Sequence, residues 1–166
     1  YIPSDRYLKG LVSEFSVAEN SVFGKHKKVP FSNSGLLNHN SINDHSEKLV
    51  KEYQIQTPDI KTKSGKLSGG NAQRLILARE ISSDPKAILA CQPTRGLDVG
   101  AKQYIHEKLL EERNSGVGIL LISTDLEEIL TLSDRIAVIY EGEIMDTISA
   151  ENAHVERLGM LMAGSV

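Results

Sequence analysis

An α/β fold is predicted for this chain by three features of its sequence. Apolar runs at Ala87–Cys91, residues 117–122 and Arg135–Tyr140 alternate with segments of helical period, giving the strand, helix, strand, helix, strand order of an α/β layer. A glycine-rich turn, Leu67-Ser68-Gly69-Gly70-Asn71, runs directly into one of those helices. With 40% hydrophobic and 25% charged residues in 166, the chain holds a core for one ordinary domain or a large part of one.

Taken in order, residues 1–24 predict an extended start, a turn at Lys9-Gly10, and a short helix to about Val22. A capping box, Ser16 followed three residues on by Glu19, opens that helix, and Gly24 stops it. Residues 25–43 lack a durable period and predict a loop broken by a small helix near Leu36-Leu37. A modest amphipathic helix is expected from Asn43 to Tyr53, and Thr57-Pro58 ends the short segment after it. This first third is thus a small helical subdomain. Beyond the glycine turn, Ala72, Leu75, Ile76 and Arg79 share one face of a helix running to Ile81. Ala87–Cys91, between Asp84-Pro85 and Pro93, predicts a buried parallel strand, and residues 101–112 a helix closed near Asn114-Ser115-Gly116. Thr124-Asp125-Leu126-Glu127 predicts a capping box opening a helix through Leu130. Glu141-Gly142 is a tight turn between Arg135–Tyr140 and a hairpin partner at residues 143–148. A helix across residues 150–162, with Val155, Leu158, Leu161 and Met162 at helical spacing, is expected to cover the sheet.

Composition excludes several classes of function. A net charge of −3 without a block of like charges argues against nucleic acid as partner, while leaving a single nucleotide open. One cysteine, Cys91, rules out an internal disulfide or a Cys-rich zinc site and fits a reducing compartment. No run approaches the roughly 18 apolar residues of a membrane span, and no signal peptide is evident. The start at Tyr1 rather than Met reads as a piece of something longer.

In open α/β sheets, ligand-handling residues lie just beyond the C-terminal ends of strands, which selects Cys91-Gln92, Asp98 and Ser123-Thr124. A hydrolase of magnesium nucleotides needs a carboxylate there to hold metal or water, with a base beside it. Cys91 and Gln92 are neither hard oxygen anions nor general bases near neutral pH. Cys91 reads as a packing residue, since no partner histidine accompanies it. The five histidines never reach metal-ligand spacing with one another, so no metal site is expected. The sequence contains no G-x-x-x-x-G-K-[ST] loop to wrap phosphates, so the chain alone is expected to be inactive as an ATPase. The first turn of the helix after Ser68 does offer free backbone N–H groups and a hydroxyl to an anion, although a plain surface turn reads the same way.

Several motifs together carry a resemblance. Leu67-Ser68-Gly69-Gly70-Asn71-Ala72-Gln73-Arg74 resembles the ABC signature motif, residues 87–92 its Walker B strand, Pro93-Thr94-Arg95-Gly96-Leu97-Asp98 the D-loop, and Ser123-Thr124-Asp125-Leu126-Glu127-Glu128 the switch region. Ile2-Pro3-Ser4-Asp5-Arg6 with Gly10-Leu11, continued by residues 15–20, is similar to the glutamine-loop region in the second ATPase domain of tandem sugar importers. The run from Gln92 to Ala101, with the closing Gly159-Met160-Leu161-Met162-Ala163-Gly164, looks closest to the nucleoside branch.

The resemblance implies a partial P-loop NTPase (ABC ATPase) domain with a helical signature subdomain and the Walker A part missing. Residues 1–66 correspond to the glutamine-loop-like segment and most of the helical subdomain, and residues 67–166 to the signature helix and the C-terminal part of the α/β ATPase core. It implies ATP and Mg²⁺ in the full-length assembly and none for the piece alone. Ser68, Gly69, Gly70 and Asn71 are then expected to contact ATP held by the first ATPase domain of the same subunit, with Asp98 coupling the two sites. The family has Asp and Glu where this chain has Cys91 and Gln92, and a histidine where it has Thr124, so its own site is expected to be degenerate. Other implied partners are a transmembrane permease, faced by residues 12–22 and the helical subdomain, and indirectly a solute-binding protein. The implied location is peripheral, on the cytoplasmic face of a prokaryotic cell membrane. Import of nucleosides or simple sugars is the expected role. The alternatives are a non-transport ABC ATPase in translation or repair, or a structural fragment with no activity, whose open sheet edge would favour self-association.

Overall fold

The computed structural model describes residues 1–165, which divide into two compact units, Tyr1–Leu120 and a second that begins at Leu121. The first unit begins with Ile2 in a parallel bridge to Ala90: its N–H donates to the Leu89 carbonyl, and its carbonyl accepts from Cys91 N, both at 2.8 Å. Asp5 then caps a helical turn, Arg6–Gly10, its Oδ1 accepting from Tyr7 N at 3.1 Å and Leu8 N at 2.9 Å. The sequence predicts only a turn at Lys9-Gly10. Gly10 is obligatory by packing, because a Cβ there would overlap Ile76 Cδ1 and lie 3.2 Å from Pro3 Cγ. Ile76 and Pro3 are themselves buried. Gly10→Ala is therefore expected to destabilise the chain by about 1–3 kcal/mol, read as a lower thermal or urea midpoint.

The capping box forms as predicted. Helix α1, Val17–Ser21, has Glu19 N bonded to Ser16 Oγ at 3.1 Å and Ser16 N bonded to Glu19 Oε2 at 2.7 Å. Residues 60–64 run beside its entry, with Val17 N bonded to Thr62 O and Ser64 N to Phe15 O. Asn20, fully buried, ties these strips together. Its Nδ2 donates to Val12 O (3.0 Å) and Ser64 Oγ (3.0 Å), and its Oδ1 accepts from Val12 N (2.9 Å).

The expected small helix near Leu36-Leu37 is instead a hairpin, β1 Ser32–Asn33 paired antiparallel with β2 Leu36–Leu37. Both residues of its turn, Ser34 and Gly35, take positive φ (52° and 83°), the geometry that matches a tight hairpin and that no helix tolerates. Helix α2, His39–Glu52, also starts earlier than expected, because the Asn38 side chain caps it by accepting from Ser41 N at 3.2 Å. Ala18, Val22, Phe31 and Ile42 form the core of this helical part.

Helix α3, Gly69–Ile81, is predicted by its period to bury one face, yet Ala72, Leu75, Ile76, Leu77 and Ala78 are all fully buried. A helix apolar on nearly every side belongs in the middle of a core. Here α1, α2, the Arg6–Gly10 turn and helix α4 surround it. Strand β3, Ala87–Cys91, leads to α4, Val99–Asn114, and to strand β4, Gly118–Ile122, which pairs with β3. The prediction of a strand buried on both faces does not hold for β3: Ile88 and Ala90 are buried while Ala87 and Leu89 are exposed.

The second unit contains helix α5, Leu126–Leu132, then strands β5, Arg135–Tyr140, and β6, Glu143–Ser149, joined by the Glu141-Gly142 turn at positive φ. Helix α6, Val155–Met162, covers this hairpin, with Leu158 and Leu161 packed on Ile136, Val138 and Ile148. Residues 150–152 form a separate 3₁₀ turn rather than the first turn of that helix. Among the described residues the strands are thus arranged as three two-stranded sheets. No helix among the described residues is long and apolar enough to cross a membrane.

Candidate functional site

The glycine turn is built around Ser68. Its Oγ accepts from Asn71 N at 3.4 Å and from Asn71 Nδ2 at 3.0 Å, which caps α3 and leaves the hydroxyl proton free of these two bonds as a donor. Asn71 is spent on structure, since its Oδ1 accepts from Gln56 N at 2.7 Å. The first intrahelical bond runs from Ala72 N to Ser68 O. Gly69 and Gly70 therefore present N–H groups that the helix itself cannot satisfy, at its positive end. Ser68 is exposed and the two glycines are half-buried, so an anion can reach all three.

Both glycines also lie close to other parts of the unit. A Cβ on Gly70 would sit 3.2 Å from Ala101 Cβ at the start of α4, and one on Gly69 would lie 3.8 Å from Leu97 Cδ2 and 2.6 Å from Arg6 Nη1. The turn of residues 92–98 is thus packed against the first turn of α3. Asp98 caps α4, its Oδ1 accepting from Ala101 N at 2.9 Å, and α4 accordingly begins two residues before the predicted start. Gly96, at φ +69°, closes the turn.

At the end of β3 the structure places Cys91, half-buried as a free thiol, and Gln92. Gln92 takes φ +49°, a left-handed conformation uncommon outside glycine and asparagine, and its carbonyl accepts from Arg95 N at 3.2 Å. Desolvation raises the pKa of the Tyr1 phenol, as does the neighbouring Cys91. Thiol and amide give this strand end no hard anionic ligand for a divalent ion. Among the described residues no cluster of three His, Cys, Asp or Glu side chains is arranged for a metal.

Thr124 belongs to the second unit, exposed between β4 and α5. The residue capping α5 is Asp125, which accepts from Glu128 N at 3.4 Å, and not Thr124, so the cap lies one residue later than predicted. Ser123 Oγ accepts from Asp125 N at 3.0 Å. Within the first unit, then, Ser68, Gly69, Gly70 and Asn71 come together with the turn that carries Asp98.

Sequence reasoning places Arg6 and Arg74 inside quoted motifs but assigns neither them nor Tyr7 the contacts that hold this arrangement. Arg6 donates to the Arg95 carbonyl, and Tyr7 OH donates to the Leu67 carbonyl at 2.9 Å. Arg74 stacks 4.0 Å above the Tyr104 ring and donates to Gln54 O at 2.8 Å. Burial pushes the Tyr104 phenol up, against the pull of Lys108 and Arg74. Arg6 and Tyr7 come directly after the Asp5 cap, which is the one local signal available for them.

No family model matches the chain. It is 46% identical over 165 residues to a guanosine import ATP-binding protein, NupO, of Bacillus subtilis, matching 99% of this chain and 32% of that protein. A nucleoside import ATP-binding protein, NupA, of Lactococcus lactis subsp. cremoris is 44% identical over 164 residues, with 99% and 32% covered. A glucose import ATP-binding protein, TsgD13, of Haloferax volcanii is 42% identical over 166 residues, with 99% and 30% covered. The chain thus spans 32% of the length of the first two relatives and 30% of the third. A dimeric ATP-binding cassette in a post-hydrolysis state with ADP and Pi superposes with a TM-score of 0.68 at 23% identity, over 84% of this chain and 59% of the other. The fold is that of an ATP-binding cassette, α/β with a helical part, and its homologues are ATP-binding proteins of nucleoside and sugar import.

Proposed function

We propose that this homologue of nucleoside and sugar import ATP-binding proteins is part of a subunit that powers such import, and that it lends its α3 turn to an ATP site centred on another ATPase domain. Residues 1–66 supply the glutamine-loop-like segment and most of the helical subdomain, and residues 67–166 the signature helix and the C-terminal part of the core. The observation that carries this reading is a contrast within one unit. An accessible Ser68-Gly69-Gly70 helix start is intact, while the end of β3 offers Cys91 and Gln92 where hydrolysis needs carboxylates.

ATP with Mg²⁺ supplies the phosphoryl chemistry in the full-length protein. The residues here that fit the terminal phosphate are Ser68, through its hydroxyl, and Gly69 and Gly70, through backbone N–H groups that complement negative charge without reorganising. Asn71 contributes by holding the Ser68 rotamer, and Asp98 by fixing the adjoining turn. Cys91, Gln92 and Thr124 mark this domain's own site as degenerate. The partner domain is the first ATPase domain of the same subunit. A membrane permease receives the motion through the helical part, at the cytoplasmic face, and a solute-binding protein delivers the cargo.

ATP hydrolysis by the full-length subunit tests this reading at Gln92. Gln92→Ala is expected to leave kcat within about twofold of the parent, since a residue outside the reacting site removes no transition-state contact. A loss of tenfold or more would make the end of β3 part of the working site.

A further inference from the structure

We infer that Arg6 is a positioning residue that fastens the first turn of α3 to the turn carrying Asp98, so that the two approach a bound nucleotide as one body. This rests on the reading of Ser68, Gly69 and Gly70 as phosphate-facing donors.

The Arg6 guanidinium touches both turns. One nitrogen, Nη2, donates to the Arg95 carbonyl, while the other, Nη1, lies against Gly69, 2.6 Å from where a Cβ would stand. The planar fork holds the Arg95 carbonyl with one arm while the other lies flat against Gly69, a span the compact ammonium of lysine does not cover. A side chain at Gly69 would push the Arg6 fork aside, since a Cβ there would stand 2.6 Å from Nη1. Leu97, two residues beyond the Arg95 acceptor, closes on the same glycine, and Gly70 meets Ala101 just after the Asp98 cap.

Arg6 is itself held on a fixed platform. Ile2 is bridged to Ala90 in β3, and Asp5 caps the Arg6–Gly10 turn. Tyr7, the next residue, donates to Leu67, which directly precedes Ser68. On the far side of that turn the Gly10 carbonyl accepts from Arg79 Nη1 at 2.9 Å, which anchors it to the buried part of α3. A single helical turn therefore grips α3 at both ends and the Asp98 turn through Arg95. Arg6 is bonded to backbone rather than to a carboxylate, so its effect is on the position of the two turns and not on the charge of an acidic partner.

Hydrolysis by the full-length subunit, with Arg6→Met, Arg6→Lys and Ser68→Arg compared, tests this. Arg6→Met keeps the stem and removes the donors. It is expected to lower kcat about tenfold, the scale of one hydrogen bond from a charged donor, with KM for ATP changed less than about twofold. Arg6→Lys is expected to restore part of kcat, because an ammonium still reaches the Arg95 carbonyl. In the full-length subunit, amide hydrogen exchange of Arg6→Met should quicken together at Asn71 and Ala72 and at Arg95 and Leu97, the hydrogen-bonded amides of the two turns. If Ser68→Arg abolishes hydrolysis while Arg6→Met changes neither kcat nor exchange, Arg6 has no positioning role and the phosphate-facing reading stands. If Ser68→Arg leaves hydrolysis intact, that reading fails whatever Arg6 does. A global loss of protection in Arg6→Met would also overturn the inference, since it would make Arg6 a general stabiliser of the fold.

Discussion

Ser68→Arg in the full-length subunit is expected to cut ATP hydrolysis by at least about 100-fold, the loss typical when a preorganised donor to a transition-state charge is removed. The same change removes the cap of α3, whose cost is about 1 kcal/mol, so the protein should remain folded. Those two magnitudes separate the roles of one side chain. As a structural cap, Ser68 holds Asn71 N and Asn71 Nδ2; as a donor, it stands beside Gly69 and Gly70 at an exposed helix start. Arginine would place a long side chain where the approach depends on two residues without one. Steady-state hydrolysis, alongside a thermal melt, checks both parts. Hydrolysis within about threefold of the parent would mean that nothing closes on this turn.

A second large effect is expected on stability. Asn20 is fully buried, and its amide joins Val12, Phe15, Ser16 and Ser64 in one network. Asn20→Ala leaves the Val12 N–H without its acceptor and removes the amide donor shared by Ser64 Oγ and the Val12, Phe15 and Ser16 carbonyls, although Ser64 Oγ still donates to Val12 O at 3.0 Å. The expected cost is about 3 kcal/mol, or a fall in melting temperature on the order of 6–12 °C for a chain of this size. Asn20→Asp should be no rescue, because the carboxylate cannot donate to Val12 O or Ser64 Oγ. A melting temperature within about 2 °C of the parent for Asn20→Ala would show that water or a shifted Ser64 replaces the amide.

The features legible in the sequence are local in origin. The Ser16 and Glu19 capping box and the Glu141-Gly142 hairpin turn declare themselves within a few residues, and each forms at its predicted position; the glycine turn feeds its helix as predicted, and the cap that Ser68 makes there is added by the structure. The errors also have local causes. Leu36-Leu37 looks like part of a small helix until Ser34 and Gly35 both turn left-handed, and the Asn38 cap then moves the start of α2 from residue 43 to His39. Thr124 and Asp125 are both good caps, and only the backbone conformation decides for Asp125. The turn carrying Ser68, Gly69 and Gly70 is legible for the same reason. Its fastening is not, because Arg6 meets Arg95 across 89 residues and no period or spacing announces such a contact. Half of β3 departs from its predicted burial because an apolar run of five residues does not reveal whether both faces have neighbours.

If this chain completes an ATP site belonging to another domain, nucleotide trapped in mid-turnover must sit in that other domain. Vanadate trapping of labelled nucleotide in the full-length subunit, with the label then mapped to one domain or the other, measures this most directly. The expected result is trapped label in the first ATPase domain, abolished by Ser68→Arg and retained in Gln92→Ala. Label trapped in the domain that contains Cys91 and Gln92, lost on Gln92→Ala and indifferent to Ser68→Arg, would contradict it.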